Sequence, residues 1–162
     1  LGIDPGIGRL GYGFVCQSGS SYRALAYGCL ETPPHQDTSL RIKALYDGVR
    51  EQIENCSPHF MSVERLYFGQ NRTTAEAVWQ VRGTMLLLGA QYRLPVIEPK
   101  PSEVKLTVCG DGTAEKRQVQ LMVQQLLNLP EIPRPDDTAD ALGIALAGLA
   151  IVRSPQYAYG RR

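Results

Sequence analysis

Five carboxylates hold the chemistry that this sequence could perform. Three of them, Asp136, Asp137 and Asp140, crowd the first turns of "PDDTADALGIALAGLA" (135–150), a segment of otherwise small and apolar residues that predicts a packed helix. Asp137 and Asp140 are three positions apart, and Asp136 and Asp140 four, so a helix sets them on nearly one face. A single aspartate at a helix start is ordinary, because it caps orphan N–H groups and suits the helix dipole. Three together repel one another, by roughly a few tenths of a kcal/mol per pair at a surface and more when partly buried. Asp4 closes the apolar stretch "LGID", where Asp-Pro-Gly is also good turn chemistry. Glu64 lies late in "MSVERLYF", where Phe60, Met61, Val63 and Leu66 predict a central strand. A buried glutamate needs a partner, and Arg65 cannot serve, since adjacent strand residues point to opposite faces.

A hard divalent cation resolves these objections together. Mg²⁺ takes oxygen ligands and is held by a few carboxylates with water and substrate phosphate. Two such ions about 4 Å apart can activate a water and stabilise the leaving oxygen in phosphodiester hydrolysis. Zinc is disfavoured, because Cys16, Cys29, Cys56 and Cys109 have no ligand spacing and His35 and His59 stand apart from them. The cysteines read as reduced and mostly buried.

The elements that must bring these acids together follow from periodicity. "LGID" predicts a short strand, "PGIGRLGYG" a tight connection into "FVCQ", and "YRALAYGCLET" a third strand of an antiparallel meander. "SLRIKALYDGVREQIENC" has helical spacing with Ser39 as its cap, and "HFMSVERLYF" is a dense strand. A long helix over "TTAEAVWQVRGTMLLLGAQYR" follows, capped by Thr73 or Thr74, then a strand of four or five residues in "LPVIEP". "PSEVKLTVCG" predicts a short helix, "TAEKRQVQLMVQQLLNL" a long one, and the acidic segment the last. A meander followed by strand–helix alternation implies an α/β fold with a mixed sheet and helices on both faces.

The 162 residues suffice for one domain with a real core. The chain opens at Leu1, inside a strand and without Met, so one or two further residues are expected ahead of it. No apolar run reaches the ~18 residues of a membrane span, and no signal peptide is evident, so a cytoplasmic protein is expected. A net charge of +1 argues against a simple polycationic DNA binder, though not against one whose acids and bases are segregated.

Four blocks, "GIDPGIGRLGYG", "VERLYFGQN", "AEKRQVQLMV" and "DDTADALGIA", resemble the RuvC family of bacterial Holliday junction resolvases, in the family's order and across essentially the whole chain. The resemblance implies a ribonuclease H-like fold with a five-stranded mixed sheet over residues 1–152, followed by a basic tail, 153–162. It implies a homodimer that cuts four-way DNA junctions with Mg²⁺ or Mn²⁺, one or two ions per subunit, by paired symmetric nicks in recombination and repair. The branch-migration complex of RuvA and RuvB is the implied partner. The family's catalytic, metal-binding acids fall on Asp4, Glu64, Asp137 and Asp140. Asp136 is then the extra acid, with a capping or outer-sphere role.

For the substrate, Tyr67 occupies the family's wedge position, and Phe68 stands beside it as a second stacking residue or a core residue. A stacked base is worth about 1–3 kcal/mol. Lys105 and Lys116 match family lysines linked to DNA binding and activity; Lys116 sits near a helix start, against the dipole preference, which suits a residue facing phosphate. Arg72, Arg82, Lys100 and Arg117 are weaker candidates for backbone contact. The helix over 73–93 carries more apolar surface than one face requires, and the resemblance places the dimer interface there. The chain departs from the family at Tyr67-Phe68, where Phe-Phe is common, at Gln70, where Lys is frequent, and at Asp111, in a loop usually neutral or basic. Other readings are an actin–hexokinase type phosphotransferase, for which the chain is short, a non-catalytic junction-binding module, and a related nuclease acting on RNA.

Overall fold

Strand β1 (Gly2–Asp4) is three residues long, yet it is the middle of the sheet. The computed structural model describes residues 1–66 and 72–154, with the backbone alone for 72–74. Along the chain follow β2 (Arg9–Ser18), β3 (Ser21–Glu31), α1 (Thr38–Cys56), β4 (Met61–Val63), α2 (Arg72–Gln91), β5 (Val96–Ile97), α3 (Pro101–Cys109), α4 (Lys116–Leu126) and α5 (Asp136–Arg153). The sheet runs β3-β2-β1-β4-β5. β1 pairs antiparallel with β2 and parallel with β4, so a meander meets a crossover half at Ile3, opposite both Tyr12 and Val63. This is the mixed five-stranded α/β sheet expected of a ribonuclease H-like fold.

Helices cover both faces. On one, Leu45, Val49 and Ile53 of α1 and Val81, Met85 and Leu88 of α2 pack on Ile3, Leu10, Phe14, Met61 and Val63. On the other, α5 lies against the sheet, flanked by α3 and α4 through Val104, Val108, Val119 and Val123. Burying each such side chain is worth about 1.5–3 kcal/mol.

The glycine-rich run behaves differently from expectation. β2 begins inside it, at Arg9, and its glycines face α5 instead of forming a connection. A Cβ on Gly11 would lie 1.9 Å from the Asp137 carbonyl oxygen, and one on Gly2 would lie 2.1 Å from the Ala141 carbonyl oxygen. The helix therefore rests on bare backbone, its own small residues meeting the sheet's.

Other boundaries also move. β4 stops at Val63 and β5 has two residues, because pairing beyond them passes to single bonds: Arg65 N–H donates to the Pro99 carbonyl at 2.9 Å. Asp37, not Ser39, caps α1, accepting from the Ser39 N–H at 2.8 Å. α2 is described from Arg72, so the backbone of Thr73 and Thr74 lies inside its first turn, and their side chains lie outside the described residues. The four cysteines are free and only half-buried. α5 extends through Arg153, past the predicted end of the domain, and residues 155–162 of the tail lie outside the described residues.

Candidate active site

The acids gather where the sheet's centre meets the start of α5. Asp4 ends β1 in register with Gly11, and Gly11 is the residue on which the Asp137 backbone rests. One glycine thus touches both the strand-end acid and the helix-start acid. Glu64 comes from the neighbouring parallel strand, its N–H donating to the Ile3 carbonyl at 3.4 Å just beyond β4. Asp140 follows one helical turn after Asp137. Asp4, Glu64 and Asp140 line one cavity of about 180 Å³, together with Lys105 from α3 and Lys116 from α4. Three larger grooves, of about 560, 660 and 730 Å³, lie away from these acids.

The electrostatics record this crowding. Burial raises Asp4 to about 7, with the charges of Asp140, Glu64 and Asp137 adding to the rise and Lys116 opposing it. Glu64 is raised to about 7 by burial and then by Asp140. Burial also raises Asp140, although the hydrogen bond and charge of Lys116 pull it back. Burial lowers the Lys116 ammonium, but Asp140 and Asp136 more than offset this and leave it raised.

Lys116 does not stand alone. Its Nζ lies 3.0 Å from Asp140 and 3.4 Å from Asp136. Its place at a helix start, which the sequence makes look awkward, is stabilised by carboxylates from the next helix. Asp136, the extra acid, is one of them, and Pro135, not Asp136, occupies the cap position. Asp137 faces Arg9, whose Nε is 3.1 Å from Oδ2. Arg9 is a site residue that sequence reasoning misses; its only signal is a lone cation in the glycine run that follows Asp4.

The remaining candidates separate. Arg117 and Lys100 are exposed, Lys100 beside a groove with Arg65. Arg82 is not a surface residue at all: it is 8% exposed and pairs with Glu98. Asp111 turns back on its own loop, accepting from the Thr113 N–H at 2.8 Å. Tyr67, Phe68 and Gln70, and the side chain of Arg72, lie outside the described residues.

The acids fit a hard cation by chemistry. The donors are all carboxylate oxygens, and Oδ2 of Asp137 is buried without a hydrogen-bond partner despite the nearby Arg9. Among the described residues, no three acidic, His or Cys side chains are drawn together closely enough to enclose an ion. They surround a cavity, and Arg9 and Lys116 screen part of their mutual repulsion.

A family model described as "Crossover junction endodeoxyribonuclease RuvC" matches residues 1–148. The protein of that name from Moorella thermoacetica is 51% identical over 146 residues, covering 90% of this chain and 87% of its own. Its counterpart from Desulforamulus reducens is 49% identical, covering 90% of each chain. Among solved structures, Thermus thermophilus RuvC in complex with Holliday junction substrate superposes with a TM-score of 0.89 at 35% identity, over 94% of this chain and 93% of that one.

Proposed function

Because the chain belongs to the RuvC family of crossover junction endodeoxyribonucleases, we propose that it resolves Holliday junctions by hydrolysing one phosphodiester in each of two strands. The observation that carries this reading is the convergence of Asp4, Glu64 and Asp140 on one cavity whose other charged residues are Lys105 and Lys116. Asp4, Glu64, Asp137 and Asp140 are the residues that would hold Mg²⁺ or Mn²⁺, one or two ions per subunit. Bound there, the metal would supply Lewis-acid stabilisation of the phosphoryl oxygens and would acidify the attacking water.

The chain's own residues do the rest. Lys105 and Lys116 give the cavity a positive side that draws a phosphate towards acids that would otherwise repel it. Asp136 and Asp140 hold the Lys116 ammonium at the cavity, so it is pre-set instead of ordered on binding. Hydrolysis joins the water oxygen to phosphorus and breaks the bond to the 3′ oxygen, leaving ligatable ends. Tyr67, with Phe68, is the stacking residue at the junction centre, and Arg72 and Arg117 contact the backbone. A homodimer relates two such sites by a two-fold axis, matching two symmetric nicks. The cytoplasm is the expected compartment, RuvA and RuvB the expected partners, and 1–152 the nuclease domain.

The test is a nicking assay on a synthetic four-way junction with Mg²⁺, with EDTA and linear duplex as controls. Paired symmetric nicks in the junction alone are expected. Asp4→Asn should bind the junction at least as well as the parent, having one charge fewer to repel it, while cleaving about 1,000-fold more slowly. Cleavage by that variant at a near-normal rate would sink the carboxylate assignment.

A further inference from the structure

We propose that Arg82 is the positioning residue of Glu64: a buried fork that fixes the peptide carrying this acid from the opposite face of the sheet. The inference rests on the functional reading above only in taking Glu64 as part of the metal site.

Arg82 lies three turns into α2, and its guanidinium sits in the interior. A cation so placed must have its donors met. Its Nε donates to the backbone carbonyl of Glu64 at 3.2 Å, its Nη2 pairs with the carboxylate of Glu98, and its Cζ lies 5.6 Å from the centre of the Trp79 ring. Glu98 is the residue just after β5, so a single side chain ties together the ends of two neighbouring strands.

Glu64 needs such a tie. It lies beyond the last residue of β4, and its own N–H reaches the Ile3 carbonyl only at 3.4 Å, a long bond. Sheet pairing therefore holds this residue weakly. Arg82 grips the carbonyl side of the same residue from the α2 face, while the Glu64 carboxylate lines the cavity with Asp140. Stability alone is a poor reason for the arrangement, because an apolar side chain of similar volume often replaces a buried ion pair without loss. Binding two acceptors at fixed angles is what a planar guanidinium does and an ammonium does not.

The decisive experiment is a double-mutant cycle on Mn²⁺ binding, read by electron paramagnetic resonance without DNA. Arg82→Gln should weaken Mn²⁺ binding about tenfold in the parent and less than about twofold in a Glu64→Gln background. Arg82→Lys, which keeps one donor, should fall between. Equal losses in both backgrounds overturn the proposal. A second measurement is independent of metal and chemistry: amide exchange at Glu64 and Arg65 should accelerate about tenfold in Arg82→Gln while the β1–β2 amides stay protected. Unchanged exchange at those two amides also overturns it. If Arg82→Gln fails to fold, Glu98→Gln, which removes a partly exposed carboxylate, carries the same two tests with a smaller effect of the same pattern. A parent chain that binds Mn²⁺ yet leaves junctions intact would refute the functional reading, and the exchange result would still decide the role of Arg82.

Discussion

The two faces of the sheet are covered by helices in opposite ways. Against α1 and α2 the sheet presents Leu10, Phe14, Met61 and Val63, and the helices answer with Leu45, Val49, Met85 and Leu88. Against α5 it presents Gly2, Gly11 and Gly13, met by Ala141, Ala145 and Leu142. Bulk keeps helix and strand axes apart and gathers hydrophobic free energy, while its absence lets main chains nearly touch. The acids sit on the second face. Their convergence depends on how close one helix start comes to one strand end, so that face is built for distance, and the first supplies most of the large side chains.

That contrast can be broken or sharpened by substitution. Gly11→Ala should be the most damaging, because the new methyl falls on the Asp137 carbonyl and must push α5 away. Junction cleavage should drop by about 100-fold or more, beyond what the lost stability explains. If cleavage and melting temperature fall in proportion, the spacing argument is wrong. Leu45→Ala, on the far face, should cost about 2–5 kcal/mol in urea denaturation. Its cleavage rate per folded molecule should stay within about threefold of the parent, and a larger drop would mean that the α1 face also sets the site.

The smallest effect concerns pH. Asp4 and Glu64, both held at about 7, lie above their ordinary values of 3.8 and 4.5. The folded chain then binds more protons than the unfolded one from about pH 4 to 7, so stability is greatest at the acid end of that window and falls as pH rises. Measured in EDTA, Asp4→Asn should flatten this slope and leave the variant more stable than the parent at pH 8, by ~1–2 kcal/mol. An unchanged slope would show that the acids on the α5 face are not strained by their proximity.

How far the sequence reveals this arrangement differs from residue to residue. Asp4, Glu64 and the α5 acids stood out because each was an acid where apolar packing was expected. The order of elements followed from periodicity. The role of Gly11 was hidden, because a glycine in a turn and a glycine beneath a helix look alike without the third dimension. β4 was overestimated because Leu66 continued an apolar run whose sheet partners had already ended. Arg82 is not legible in the sequence, since charge carries no direction: an arginine facing phosphate and one facing an internal carboxylate have the same letter. Lys116, which matches a family lysine, sits against the dipole preference, and the structure supplies a cause in Asp136 and Asp140.

The glycines under α5 also bear on how such a chain can drift over generations. Every substitution at Gly2 or Gly11 adds at least a Cβ, and the nearest atoms it would strike are main chain, which no neighbouring side-chain change can shrink. Compensation by a second mutation, the ordinary escape for a crowded core position, is closed there. Lineages that keep the acids together must therefore inherit these two positions unaltered, however freely the surrounding surface diverges.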